Sequence, residues 1–132
     1  MIVLLDTDIC IYAINQKRPD ILRQIRNYRI GDVGISSITY AELRFGVENS
    51  GRVDENLDRL ERFLLPLEIL PFDAEAGRRY GRLRVALKRA GCPIGPNDLL
   101  IAAHALSLDA TLVTNNINEF ARVEGLRVEQ WG

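Results

Sequence analysis

The run "IVLL" at residues 2–5 is apolar at every position and ends at Asp6. A strand with one wet face alternates apolar and polar residues, whereas an unbroken apolar run belongs to a strand covered on both sides. Four more short β-type runs follow: "VGIS" (33–36), "EILPF" (68–72), "TLVT" (111–114) and "LRVEQW" (126–131). Patterns of helical period fill the intervals between them. Strands that alternate with helices are joined by crossovers, which build a parallel sheet with helices on both faces. The expected fold class is α/β: one three-layer α/β/α domain over residues 1–132, around a central five-stranded parallel sheet.

The helical stretches carry their own punctuation. "PDILRQIRNY" sets Ile21, Ile25 and Tyr28 at helical spacing behind Pro19, a residue suited to a first turn. "DENLDRLERFLLPL" does the same with Leu57, Leu60 and Leu64. "DAEAGRRYGRLRVALKRAG" starts on Asp73 as a cap and ends at Gly91, with Ala76, Tyr80, Leu83 and Leu87 as its apolar stripe. "NSGRVDE" (49–55) reads as the most flexible loop.

Composition narrows the function classes. Hydrophobic residues make up 47% of the chain and charged residues 27%, which is ordinary for a soluble globular protein. A net charge of −1 gives no global attraction to nucleic acid or anionic membrane, so any such affinity must come from a local patch. Cys10 and Cys92 form no CxxC pair, and the reading is two buried free thiols in a reducing cytosol. "MIVLLD" lacks a basic n-region and is too short for a signal peptide, and no later run is long enough to span a bilayer. The expected location is cytoplasmic, without a membrane partner.

In open α/β sheets ligands bind beyond the carboxyl ends of the strands. Asp6 and Asp8 follow "IVLL" directly, and Asn115 and Asn116 follow "TLVT". The helix "SSITYAELRFGVE" begins just after "VGIS", so Glu42, beside Ile38, Ala41 and Phe45 on a mostly apolar stripe, lies over the same edge. The helix that starts at "GPND" runs to about Leu108 and feeds "TLVT", so it returns antiparallel to that strand and brings Asp98 to the strand's carboxyl end. Asp98 shares its face with Ile101, Ala102 and Ala105, small enough for close packing on the sheet. Asp6, Glu42 and Asp98 therefore converge on one mouth, bordered by Asp8 and the "NNINE" turn.

Each acid has a plainer role when taken singly. Asp98 opposes a helix dipole, Asp6 caps the helix that follows it, and Glu42 reaches to solvent along its stem. Together, partly desolvated and with no Lys or Arg immediately beside Asp6 or Asp98, they would repel one another. A hard divalent cation such as Mg²⁺ or Mn²⁺ resolves that repulsion and suits phosphoryl chemistry. His104, the only histidine, lies about 120° around its helix from Asp98 and reads as a packing or interface residue.

The segments "LLDTD", "SSITYAELRFGVENS", "YGRLRVALKRAGCPIGPNDLLIAAHAL" and "LVTNNINEFARVEGLRVEQW" together resemble the PIN-domain ribonuclease toxins of the VapC type, through nearly the whole chain. "IGPNDLLIAAHAL" and the "TNNINEF" run with its tail are similar to the branch that cuts initiator tRNA in its anticodon region. The resemblance implies a PIN-like fold and the toxin of a type II toxin–antitoxin system. It implies that Asp6, Glu42 and Asp98 form an acidic site holding Mg²⁺ or Mn²⁺, with Asp6 and Asp98 the principal metal-associated positions. A homodimer and a cognate VapB-type antitoxin that blocks the site are implied as well. Two departures stand out: Asp8 replaces the Asn of the usual Asp-Thr-Asn, and Asn116 stands where many PIN domains carry an acid. The fourth corner then falls to Asn116, Glu119 or water, with Thr114 in reach of the site or substrate, and the number of ions stays open.

The expected reaction is metal-dependent hydrolysis of an RNA phosphodiester, and the resemblance implies that it leaves a 5′-phosphate and a 3′-hydroxyl. Arg78, Arg79, Arg82, Arg84, Lys88 and Arg89 crowd one helix, and Lys17, Arg18, Arg23, Arg26 and Arg29 another. Some of these arginines, with Arg78, Arg82 and Arg89 foremost, are expected to contact RNA backbone; solvated helix faces are the alternative. "LLDTD" also fits the opening of aspartate-based phosphatases and of phosphorylated receiver domains, but both want a late Lys that this chain does not place. An inactive PIN scaffold that binds RNA or protein is the other alternative.

Overall fold

The computed structural model describes residues 2–15 and 19–131. Five strands and seven helices are seen among these residues, in the order β1 (Val3–Leu5), α1 (Thr7–Ile14), α2 (Pro19–Arg26), β2 (Val33–Ser36), α3 (Ser37–Glu48), α4 (Val53–Leu64), β3 (Glu68–Leu70), α5 (Ala74–Ala90), α6 (Pro96–Leu108), β4 (Thr111–Val113), α7 (Ile117–Phe120) and β5 (Arg127–Glu129). The strands form one sheet in the order β3-β2-β1-β4-β5. Every pairing in it is parallel.

β1 shows why its run has no polar position. Val3 and Leu5 point into one core with Ile9, Ile21, Ile35 and Phe63, from the side of α1 to α4. Leu4 points the other way, into a second core with Leu83, Ile101, Ala102 and Phe120 from α5, α6 and α7. Alternate side chains of a strand face opposite sides, so a strand sandwiched between two cores must be apolar throughout. The outer strands β3 and β5 are more exposed, and they mix Glu68, Arg127 and Glu129 with apolar residues. Both are also shorter than their β-type runs, because "PF" and "QW" leave the ladder. Trp131 is buried regardless, stacked on Tyr28 at 5.6 Å between ring centroids.

Local signals set the helix ends. Asp73 caps α5 by accepting from the Ala76 amide at 3.0 Å, and Gly91 ends that helix in the left-handed region at φ 69°. Pro96 opens α6, whose Ile101, Ala102, Ala103 and Ala105 are fully buried. Short side chains let this helix lie close to the sheet, and Asp109 at φ 52° turns the chain into β4. The loop after α3 is shorter than "NSGRVDE" suggests, because α4 already begins at Val53. Cys10 is buried, whereas Cys92 is only half-buried in the turn before α6.

Candidate active site

Asp6 leaves the end of β1 and becomes the N-cap of α1, accepting from the Ile9 amide at 2.9 Å. It is 3% exposed. Capping and membership of the site are therefore one placement: the cap fixes the carboxylate at the carboxyl edge. Thr114, just beyond β4, also hydrogen-bonds the Asp6 side chain. Burial raises Asp6 to about 6 against those two hydrogen bonds, and the charges of Asp8 and Glu42 add to the rise.

Asp98 enters from the first turn of α6, as the antiparallel return of that helix requires. Its carboxyl is pushed up to about 7, first by burial, then by the charge of Glu119, then by Asp6. Asp6, Thr7, Asp8, Glu42, Asn97 and Asp98 line one open cavity of about 940 Å³, with Ile38, Ala41 and Phe45 on its apolar wall. No Lys or Arg is among its lining residues.

Glu42 reaches the mouth from α3 and is held there by two groups that the sequence reading did not single out. The Thr7 hydroxyl donates to Glu42 Oε1 at 2.6 Å, and Asn97 Nδ2 donates to Oε2 at 2.9 Å. Both residues sit directly beside a recognised acid, Thr7 after Asp6 and Asn97 before Asp98. Adjacency in sequence was the only signal for them.

At the proposed fourth corner, Glu119 stands against Asp98 and shares a hydrogen bond with it. Its Oε1 accepts from the Gly95 amide at 2.8 Å, and its Oε2 from Asn116 Nδ2 at 2.5 Å. The Asn116 amide N–H in turn donates to Thr114 Oγ1 at 2.9 Å. Among the described residues, no three acids already form a closed metal-ligating cluster; Glu42 and Glu119 each accept hydrogen bonds from neighbouring donors. The donor set is nonetheless all oxygen, crowded, uncompensated by side-chain cations and strained toward protonation at Asp6 and Asp98. That chemistry fits a hard divalent cation and no softer metal.

The arginines divide. Arg78 pairs with Glu75, while Arg82 lines a separate cavity with Arg79, Arg122 and Glu124. Arg89 is exposed on the last turn of α5. Lys17 and Arg18 lie outside the described residues. His104 is a core residue, 1% exposed, with Nδ1 at 2.8 Å from Ser36 Oγ and its ring edge-on to Phe72. Burial pushes its imidazole below the usual range.

A parallel sheet in the order 3-2-1-4-5, with acids from β1, α3 and α6 at its carboxyl edge, describes a PIN domain. The family model "PIN domain" matches residues 3–126. Ribonuclease VapC2 of Rickettsia felis is 47% identical over 135 residues, covering 99% of this chain and 98% of that one. The tRNA(fMet)-specific endonuclease VapC of Shigella flexneri is 44% identical over 128 residues, covering 97% and 96%. The crystal structure of VapBC2 from Rickettsia felis, bound to a DNA fragment from their promoter, contains a chain that superposes with a TM-score of 0.92 at 43% identity, covering 100% of both chains. The chain belongs to the PIN-domain family and, within it, to the VapC ribonucleases. Among the described residues, no helix is long and apolar enough to cross a membrane.

Proposed function

We propose that this chain is the toxin of a VapBC-type pair, a Mg²⁺- or Mn²⁺-dependent endoribonuclease acting on tRNA in the cytoplasm, with the initiator tRNA anticodon region as its target. The single observation that carries the reading is the meeting of Asp6, Glu42 and Asp98 in a mouth without cations, in a chain 44% identical to a tRNA(fMet)-specific endonuclease. In this reading the chain acts as a homodimer and is silenced by a cognate VapB-type antitoxin.

Asp6 and Asp98 would hold the ion, and Glu119, steadied by Gly95 and Asn116, would supply the fourth corner. When bound, the ion supplies Lewis acidity and charge neutralisation at a phosphodiester. Glu42, oriented by Thr7 and Asn97, accepts the proton of the attacking water. Thr114 keeps Asp6 in place from the next strand. Water adds to phosphorus and the bond to the 3′-oxygen breaks, with a proton going to the departing oxygen. The products are a 5′-phosphate and a 3′-hydroxyl.

The test compares wild-type and Asp98→Asn protein on total RNA, with Mg²⁺ and with chelator, mapping the cut ends. One dominant tRNA cut by the wild type, lost with Asn or chelator, is the expected result. Equal cleavage by both proteins, or 2′,3′-cyclic ends made in chelator, would overturn it.

A further inference from the structure

The acidic mouth has to admit a polyanion, yet no Lys or Arg lines it. Two cavities that adjoin it carry positive charge. One, sharing Ile11, Glu42 and Gly46 with the mouth, holds Arg59, which donates to the Ile14 carbonyl at 2.8 Å. The other, of about 540 Å³, lies between α5 and the segment leading into α6 and holds two cations. Tyr80, Arg84 and Lys88 line it, and Pro96 lines both this groove and the mouth. The first turn of α6 is the divide: Asp98 faces the mouth and Leu99 faces the groove.

The three residues are spaced i, i+4, i+8, so they form one row along α5, beside the row of Leu83 and Leu87 that packs in the core. Arg84 donates to the Tyr80 hydroxyl at 3.0 Å, and its guanidinium carbon lies 5.9 Å from the Tyr80 ring centroid. Its described hydrogen bond therefore goes to a neutral group and leaves its charge unneutralised there. Arg79 and Arg82 point elsewhere, into a cavity that shares no lining residue with the mouth.

An aromatic ring followed by two cations is chemistry that suits a single strand of nucleic acid. Phosphates meet the cations and a base stacks on the ring. We propose that the Tyr80–Arg84–Lys88 groove holds the stretch of single-stranded RNA next to the scissile phosphate, delivering it over Pro96 into the mouth. This rests on the nuclease reading above, and it moves the main RNA contact on α5 from Arg78, Arg82 and Arg89 to Arg84 and Lys88.

The experiment measures binding of a fluorescent single-stranded RNA to uncleaving Asp98→Asn protein over a salt series. The series is repeated with Arg84→Gln, Lys88→Gln, Tyr80→Leu, and Arg62→Gln on α4 as the distant control. Each lost phosphate contact should lower the slope of log affinity against log salt by about 0.7, the value for single strands. Tyr80→Leu should weaken binding several-fold at unchanged slope. In the cleaving protein, Arg84→Gln and Lys88→Gln should raise KM with kcat nearly unchanged. Unaltered slopes in both variants would overturn the groove, as would a slope that moves only with Arg79→Gln and Arg82→Gln. So would loss of antitoxin binding with RNA binding intact, which would assign the groove to an acidic protein partner. A wild-type protein that binds RNA through Arg84 and Lys88 but cuts none leaves the groove standing and sinks the nuclease reading instead.

Discussion

Asp98, at the head of α6, meets the side chain of Glu119, in the short helix α7, within hydrogen-bonding reach. The Glu119 charge and contact, after burial, help push the Asp98 carboxyl up to about 7. Gly95 frames them: a Cβ there would lie 3.6 Å from both Asp98 Oδ2 and Glu119 Oε1.

Glu119→Gln removes the neighbouring charge but leaves the burial of Asp98 intact. Asp98 should then titrate below its wild-type value of about 7, yet still above the ordinary carboxylate range, because desolvation is the larger cause of its rise. Carboxyl-carbon NMR titration of metal-free protein reads this directly. An unmoved Asp98 would mean that Glu119 has no part in its rise, leaving burial and the charges of Asp6 and Asp8 to account for it.

The same physics gives a sign for stability against pH. Asp6 rises from 3.8 in the unfolded chain to about 6 in the fold, so between those values the native state binds more protons than the unfolded one. Its contribution is present below pH 3.8 and is lost as pH rises through about 6. At about 1.4 kcal/mol per unit, the loss approaches 3 kcal/mol for this buried group. Asp6→Asn keeps a good N-cap without the charge. In chelator it should match wild type near pH 4 and exceed it at pH 8, by urea denaturation. Mg²⁺ should stabilise the wild type at pH 8 and leave Asp6→Asn unmoved; equal stabilisation of both would place the ion elsewhere. His104 works in the opposite direction, since its lowered basicity makes the fold lose stability as pH falls below about 6.5. The wild-type-minus-variant difference cancels that contribution.

Backbone-level features were the legible part of the sequence. The unbroken apolar run of β1, the Asp73 cap, the Gly91 stop and the antiparallel return of α6 all follow from local chemistry, and they bring Asp6 and Asp98 to one edge. What could not be read was pairing between side chains of distant segments. Thr7 and Asn97 reach Glu42 only after α1, α3 and α6 are docked, and the Glu119–Asp98 contact depends on where α7 settles. The arginines of α5 could not be sorted for the same reason: counting charge along a helix does not say that Arg84 and Lys88 line a groove that meets the mouth at Pro96 while Arg82 opens onto another cavity. Cys92 read as a buried free thiol, but the turn that launches α6 leaves it half outside.

Ser36 closes two accounts at once, and its removal should show both. Its hydroxyl oxygen accepts from the Ile38 amide at 3.1 Å as the N-cap of α3, and it meets His104 Nδ1 at 2.8 Å in the core. Ser36→Ala should cost about 2–3 kcal/mol, roughly one from the cap and the rest from stranding a buried imidazole nitrogen. Denaturant midpoints check this. RNA cleavage per folded molecule should stay near the wild-type rate, because neither group lines the mouth. A large loss of activity at intact stability would give His104 a role beyond packing.

Thr7 is the sharpest test of how Glu42 is aimed. The side chain is half-buried, it donates to Glu42 Oε1 at 2.6 Å, and its hydroxyl also lies 3.2 Å from that of Thr39. Val has nearly the same shape as Thr but cannot donate, so Thr7→Val keeps the packing at the start of α1 and releases one oxygen of Glu42. The other oxygen stays tied to Asn97 at 2.9 Å, so the carboxylate swings rather than leaves. A proton acceptor displaced from its line of approach costs rate and not binding. Thr7→Val should therefore lower kcat about tenfold, with KM and RNA affinity held. Thr7→Ser, which restores the hydroxyl without the methyl, should return most of the rate. A Thr7→Val enzyme with full kcat would show that Glu42 needs no orientation from α1, and a Ser variant as slow as Val would trace the loss to packing instead of the hydrogen bond.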